Sequence, residues 1–488
     1  MIKGHPKGLV VLFGAEMFER LCYYGMRSLL ILYLTKALMQ GDTEAIGIYG
    51  AYTALVFAAP VAGGKLADAV LGYRRAVIFG GIVMALGEFM ILGGTQEWLY
   101  LGMATIIIGN GFFKANISTI VGRLYKDGDP LRDSGFTIFY MGINIGALLA
   151  TVAIAPIGEK FGYEWGFGLA GVGMLVGVAI FIMGQGRLEG HGEPADPEAL
   201  AKYGKLVYGG ALAAIPGLYY LITYSQKITF LGQGILFWLL MLLLVYVCFN
   251  LLREGFKGDN VQRDRIIVLM ILMVFNVVFW ACFEQAGSSL TLFADRNVDR
   301  MIGGYEMPAS QTQFFNPAFI ILFGSIFSVM WVKLSQRGKN PSIPMKFGLG
   351  IVQLGLGYLM LLAGVTLAGP EAMVPLFVLG LMYLLHTTGE LFLSPIGLSM
   401  VTKLAPKHMT GSVMGAWFLS FAFSMYLAAV LAKLTGGGEG EVVADLTASE
   451  SLATYVDLFG NMGFVTVGIG VLLMLLSKPL TKMMHGVE

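Results

Sequence analysis

Glu16-Met17-Phe18-Glu19-Arg20-Leu21-Cys22-Tyr23-Tyr24-Gly25-Met26-Arg27 places four formal charges inside an apolar run that extends from about residue 9 to residue 38. At about 100° per residue, Glu16, Glu19, Arg20, Tyr23, Tyr24 and Arg27 fall at about 0°, −60°, 40°, −20°, 80° and 20°, so they share one stripe of a helix. A charge in hydrocarbon costs at least ~2.5 kcal/mol per residue. The stripe must therefore face protein or water, and the helix that carries it lines a polar cavity within a bundle.

The rest of the chain fits that setting. Its 488 residues are 56% hydrophobic and 13% charged, against about 25% charged in soluble domains, and its mean hydropathy is +0.73. This is the composition of an all-α polytopic membrane protein. A net charge of +1 argues against a nucleic-acid partner. Cys22, Cys248 and Cys282 all lie in apolar segments, and the five histidines have no metal-ligand spacing, so no disulfide framework, metal site or cofactor is expected. The N-terminus has basic residues before an apolar run, as a signal peptide would. The run is too long and carries Glu16, Glu19 and Arg20, which predicts a retained first helix.

Runs of spanning length recur at 9–38, 46–71, 75–95, 98–124, 134–157, 164–186, 204–223, 229–252, 264–293, 311–335, 345–368, 373–402, 410–434 and 454–477, fourteen in all. An even number puts both termini on one side. Lys and Arg flank the spans unevenly, about 22 on the side of the N-terminus and about 6 on the other, which predicts cytoplasmic termini in the cell (inner) membrane. A polar linker follows residue 186 and a second polar break lies at 253–265; between them are two apolar segments with almost no internal charge. The expected organisation is a six-helix bundle over 1–186, a linker and two-helix insert over 187–260, and a second six-helix bundle over 261–488. Paired sixes of this kind are the pseudo-symmetric halves of a carrier with its site near the midplane. The Gly-rich, then acidic, stretch 436–451 reads as a solvated outer loop.

Several motifs resemble one known group of carriers. Gly63-Gly64-Lys65-Leu66-Ala67-Asp68-Ala69-Val70-Leu71-Gly72-Tyr73-Arg74-Arg75 resembles the loop 2–3 signature of the major facilitator superfamily; its Asp68 is suited to accept hydrogen bonds from a helix N-terminus, with Arg74 and Arg75 anchoring the cytoplasmic turn. Glu16-x-x-Glu19-Arg20-x-x-Tyr23-Tyr24-Gly25 resembles the helix 1 signature of the proton-dependent oligopeptide transporters. Phe113-Lys114-Ala115-Asn116 is similar to that family's helix 4, and Phe139-Tyr140-Met141-Gly142-Ile143-Asn144-Ile145-Gly146 to its helix 5. Phe279-Trp280-x-x-x-Glu284-Gln285-x-Gly287-Ser288 matches helix 7, Asn316-Pro317 helix 8, Gly389-Glu390-Leu391-Phe392-Leu393-Ser394-Pro395 helix 10, and Gly415-Ala416-Trp417-Phe418 helix 11. The matches span nearly the whole chain, and the two-helix insert resembles that of bacterial members.

The resemblance implies a major facilitator fold and proton-coupled uptake of di- and tripeptides, by a carrier that works as a monomer in lipid with protons as coupling ion. It implies that Arg27 pairs with Glu284 and that Lys114 approaches Glu390, each pair a switchable latch. Proton coupling would fall to Glu16, Glu19, Arg20, Arg27 and Glu284. Glu390 would receive the peptide ammonium, and Arg20 and Lys114 its carboxylate. Tyr23, Tyr24, Asn144 and Asn316 would hydrogen-bond the backbone, while Trp280, Trp417 and Phe57 line side-chain pockets. The residues agree with this chemistry on their own terms: the intramembrane set holds both signs, as a zwitterion requires, and lone buried charges need pairing.

Two positions depart from the family. Animal relatives carry a helix 2 histidine where Gly50 stands, so coupling here is expected to rest on carboxylates, and Phe57 replaces a tyrosine found in many members. His386, one helical turn before Glu390, reads as a packed or cavity-edge residue, with a proton relay as the alternative. Glu88 reads as interfacial or hydrogen-bonded to a neighbouring helix. The 28 methionines read as packing residues, and the Gly173/Gly177 spacing as packing within the bundle. For Glu16, Glu19 and Arg20 the competing reading is a structural cluster joining helices 1 and 4. The rival functions are a carrier of the same fold for nitrate, a drug or an amino-acid conjugate, and a peptide sensor that does not transport. No Ser/His/Asp cluster, metal motif or nucleotide loop points to an enzyme.

Overall fold

The computed structural model describes residues 4–487 apart from 127–128, 130, 226, 406–409 and 436–446. Most of the outer loop at 436–451 thus lies outside the described residues. Fourteen long helices follow one another in the expected order. α1 is Gly8–Leu32, continued by a wider turn at Tyr33–Ala37. α2 is Asp42–Leu71, α3 Tyr73–Ile91, α4 Gln96–Arg123, α5 Ser134–Phe161 and α6 Tyr163–Leu188. α7 (Pro197–Tyr224) and α8 (Ile235–Lys257) form the insert. α9 is Asn260–Asn297, α10 Ser310–Gln336, α11 Ile343–Leu367, α12 Leu376–Leu404, α13 Thr410–Ala432 and α14 Ala448–Met483. Twelve of them are long and apolar enough to span by length and composition. The other two are α1, which carries the charged stripe, and α3, which carries Arg74, Arg75 and Glu88.

Polar caps start several helices. Thr95 accepts from the Trp98 amide at α4, Asp196 caps α7 just before Pro197, Asp259 accepts from the Gln262 amide at α9, and Thr447 with Glu450 forms a capping box at α14. Each satisfies amides that an isolated helix end leaves unpaired. α9 is interrupted at Glu284–Gly287 by a tighter turn before it resumes at Ser289. Among the described residues the strands are all two residues long: a hairpin of Met301–Ile302 with Tyr305–Glu306, and a parallel pair of Val298–Asp299 with Val374–Pro375, besides Thr229–Phe230 with Gln233–Gly234. The first hairpin turns on Gly303 and Gly304, both with positive φ (54° and 86°), as a two-residue turn matched to strand twist requires.

The chain divides into two compact units, residues 1–40 with 51–234 and residues 41–50 with 235–488. The stretch 187–260 is not a unit of its own. α7 packs on the first unit, where Tyr208 meets Phe79 at 4.8 Å between ring centroids. α8 packs on α9 and α13, with Phe237 against Phe423 and Tyr426. The two insert helices follow different neighbours, and the division into compact units falls between them, at 234/235.

In the first unit, small residues let helices touch backbone to backbone. A Cβ on Gly80 of α3 would stand 2.5 Å from the Gly109 carbonyl oxygen of α4. Gly173 and Gly177 of α6 likewise receive Leu21 and Phe18 of α1, the packing role expected for that spacing. In the second unit Gly355 of α11 and Gly463 of α14 make the equivalent close approach.

The turn after α2 is fixed from two directions. Gly72 has φ +71°, and Asp68 accepts from the Tyr73 hydroxyl, a partner different from the helix amides expected for it. Arg123 donates to the same hydroxyl at 2.7 Å. From the other side the linker after α6 lies on this turn. The Arg74 amide donates to the Gly192 carbonyl at 3.0 Å, Arg74 Nε to the His191 carbonyl at 2.7 Å, and Glu193 bridges Arg74 at 3.2 Å and Arg75 at 2.9 Å.

Candidate functional site

Each unit carries its own buried polar cluster. In the first, the stripe of α1 turns inward. Glu16, Glu19 and Arg20 are at most 2% exposed. Arg20 holds Glu19 with both arms of its guanidinium, Nε to Oε2 and Nη2 to Oε1, the latter at 2.6 Å, the bidentate geometry that makes such pairs strong. Its Nε also faces Glu16 Oε1 at 3.3 Å. Asn110 of α4 adds a third donor to Glu19, at 3.2 Å. The cluster thus joins α1 to α4, as the structural reading expected, and it still carries two acids on one base. Room for it comes from α5: a Cβ on Gly146 would stand 2.2 Å from the Met17 carbonyl oxygen and 2.9 Å from Arg20 Cβ. Asn144, on the same helix, is buried, its amide donating to the Tyr140 carbonyl at 2.9 Å.

Aromatic rings cover the cations. Tyr23 and Tyr24 stand edge to face at 5.2 Å. Arg20 lies 5.1 Å from the Tyr23 ring centre and Arg27 5.7 Å from that of Tyr24. Lys114 Nζ lies 5.9 Å from Tyr23 and 4.1 Å from Phe57. Where many relatives have a tyrosine, Phe57 therefore presents a bare π face to the lysine.

In the second unit, Glu390 of α12 is buried and accepts from Asn316 Nδ2 of α10 at 2.9 Å; the same amide nitrogen donates to Thr387 Oγ1 at 3.1 Å. Both amide hydrogens of Asn316 are spent inside the protein, one of them orienting the Glu390 carboxylate, so this residue could meet a ligand only through its Oδ1. Glu284 sits in the break of α9, within electrostatic reach of Glu390. Gln285 bonds the Ala281 and Ala428 carbonyls at 3.0 and 2.9 Å and so ties the break to α13. Trp280 donates from its indole to Asn276 at 3.1 Å, Asn276 donates to Ser420 at 3.3 Å, and the Trp280 ring meets Phe421 at 5.1 Å. Trp417 follows at 6.0 Å from Phe421. Arg27 and Lys114 thus belong to the first unit, Glu284 and Glu390 to the second.

Two supporting amides, Asn110 and Asn276, lie outside the quoted motifs; an amide within an apolar run is the signal that marks them. Gly50 has no space for a side chain as packed, since its Cβ would stand 2.2 Å from Ala429 Cβ. His386 is a packed residue, buried with its ring 4.7 Å from Tyr358 and against Gly357. Glu88 is hydrogen-bonded to a neighbouring helix, through Cys22. The second unit holds a further pair: Arg296 grips Asp42 with both guanidinium arms, Nη2 to Oδ1 at 2.8 Å.

Residues 74–444 match the model of the POT family. An uncharacterized transporter of Bacillus subtilis (strain 168), YclF, is 35% identical over 99% of this chain and 96% of its own length. Dipeptide and tripeptide permease A of Pectobacterium carotovorum subsp. carotovorum (strain PC1) is 33% identical over 99% and 93%. The crystal structure of a peptide transporter POT in complex with sulfate superposes with a TM-score of 0.83 at 33% identity, covering 100% of this chain and 97% of that one. With the motifs and the fold, these likenesses make the chain a member of the proton-dependent oligopeptide transporter (POT) family.

Proposed function

We propose that this protein is a proton-coupled symporter that imports di- and tripeptides by alternating access. The observation that carries the reading is a preorganised buried cluster in each unit: a base held between two acids on α1, and an acid oriented by an amide on α12. A short peptide is a zwitterion whose ends need opposite partners at fixed positions, and interactions of this type are strong only where water is excluded. Glu390, oriented by Asn316, takes the ammonium group, and Asn316 offers its Oδ1 to a peptide amide. Arg20 and Lys114 take the carboxylate. Tyr23, Tyr24 and Asn144 supply hydrogen bonds to the backbone, and Trp280, Trp417 and Phe57 line tolerant side-chain pockets. Termini and backbone are common to all short peptides, which suits a broad substrate range.

Coupling follows from exchange of partners. A proton on Glu284 releases Arg27, and peptide binding draws Lys114 and Glu390 away from each other, so the latches open only when both substrates are aboard. Glu16, Glu19 and Arg20 hold the balance of charge on α1. The moving halves are the bundles 1–186 and 261–488, working in a monomer in the inner membrane with both termini in the cytoplasm. The electrical driving force is about 2.3 kcal/mol per charge per 100 mV. The test is uptake of labelled dipeptides into proteoliposomes under an inward proton gradient. Uptake is expected for a broad dipeptide panel and is abolished by Glu284→Gln; absence of driven uptake across the panel would refute the substrate assignment.

A further inference from the structure

The α1 cluster has a third carboxyl behind it. Glu88 of α3 is wholly buried. Its Oε1 accepts from the Cys22 thiol of α1 at 3.4 Å, and its Oε2 has no hydrogen-bond partner. Cys22 lies three residues beyond Glu19, and its thiol is within electrostatic reach of Glu19 and Arg20 as well as Glu88. Among the described residues no cation is paired with this carboxyl. Arg20 already serves Glu16 and Glu19. From Leu101 to Phe113, α4 has no ionisable side chain, and its Asn110 donates to Glu19. From Trp165 to Gly184, α6 has none either, and presents Gly171, whose Cβ would stand 3.2 Å from Glu88 Cβ. On α3 itself Arg74 and Arg75 are about 20 Å away along the helix. A carboxylate with one thiol donor in a dry interior is an uncompensated charge, which proteins avoid by neutralising the group.

We propose that Glu88 is a second proton-binding site of the first unit: it holds a proton while Glu19 is ionised against Arg20, and its loading is linked to that of the cluster across the Cys22 thiol. The linkage is electrostatic. Two carboxylates flanking one thiol in low dielectric do not ionise together, so Glu88 gives up its proton only when Glu19 has become neutral and Arg20 is released. Only O–H bonds form and break. This deepens the symport reading and rests on it for the transport consequence, but not for the protonation itself.

The experiment is infrared difference spectroscopy of the purified full-length protein at neutral pH, with transport measured in parallel. Wild type minus Glu88→Gln is expected to show a protonated carboxylic-acid carbonyl band, and the S–H stretch assigned with Cys22→Ala is expected to be that of a bonded thiol. Adding Glu19→Gln is expected to diminish the acid band and shift the S–H stretch as Glu88 ionises. Loss of no acid band in Glu88→Gln, or a band indifferent to Glu19→Gln, overturns the proposal. In proteoliposomes the ratio of proton-driven uptake to counterflow exchange falls about tenfold in Glu88→Gln; a ratio and pH profile equal to wild type assign Glu88 to packing and overturn it too. Should Glu88→Gln fail to fold, Glu88→Asp carries the same spectral comparison. If the protein moves no peptide at all, the spectra still report on Glu88, so the two failures are separable.

Discussion

Asn316→Leu removes the donor that orients Glu390 while keeping the volume of the side chain. Two bonds are lost, one to Glu390 Oε2 at 2.9 Å and one to Thr387 Oγ1 at 3.1 Å. A hydrogen bond to a charged group is worth about 1.5–3 kcal/mol. If Glu390 meets the peptide ammonium and the loss passes wholly to binding, dipeptide affinity falls about 10- to 150-fold at about 1.4 kcal/mol per decade. The geometry makes a stronger claim than the magnitude. Asn316 has no amide hydrogen left for the peptide, so as a donor it acts only through Glu390. Titration calorimetry on wild type, Asn316→Leu, Glu390→Gln and the double variant closes the cycle. Asn316→Leu should cost clearly less affinity once Glu390 is already Gln, the difference being the coupling energy of the orienting bond. Additive losses would mean that Asn316 acts on the peptide through its Oδ1 alone, and the orienting role would fall.

Other perturbations test the remaining features. Gly146→Val drives a side chain into the Met17 carbonyl, 2.2 Å from the new Cβ, and should cost about 1–3 kcal/mol, seen as a lower thermal midpoint in detergent; Gly468→Ala, where nothing lies within 4 Å, should leave the midpoint unchanged or higher. Phe57→Leu removes the ring 4.1 Å from Lys114, worth about 0.5–2 kcal/mol, and should raise the dipeptide KM, whereas Phe57→Tyr retains it. Asp42→Asn breaks the bidentate pair with Arg296, which is 21% exposed; solvent there trims the ~3–5 kcal/mol of a fully buried pair to ~1–3 kcal/mol, read as a lower midpoint that the exchanged pair D42R/R296D partly recovers. Gly50→His should express poorly because its Cβ meets Ala429 Cβ at 2.2 Å, and Ala429→Gly should restore part of the yield.

The helices were the most legible feature, because a span needs about 20 apolar residues and every polar break in this chain falls between two such runs. The α1 stripe was equally plain, since charges in an apolar run have few places to go. What could not be read was choice of partner. Arg296 stands 254 residues from Asp42, and nothing local to either residue names the other. Asn316 advertises hydrogen bonding but not its recipient, which sits 74 residues away on another helix. Asp68 was matched to helix amides by precedent and is claimed by a hydroxyl five residues on. The insert looked like a separate module because composition marks where charge is scarce; packing divided it because the aromatic rings of α7 and α8 find different neighbours.

The seam between the linker and the α2–α3 turn has a consequence for engineering. A shortened, twelve-helix derivative would delete the insert, and composition suggests cutting at Arg187. That cut would strip Arg74 of the His191 and Gly192 carbonyls and both arginines of Glu193, exposing a tight glycine turn that a Pro194 lid now covers, since a Cβ on Gly72 would stand 2.4 Å from the Pro194 nitrogen. The excision has to begin after Asp196, so that residues 188–196 stay behind as a permanent cover on the α2–α3 turn of the remaining bundle.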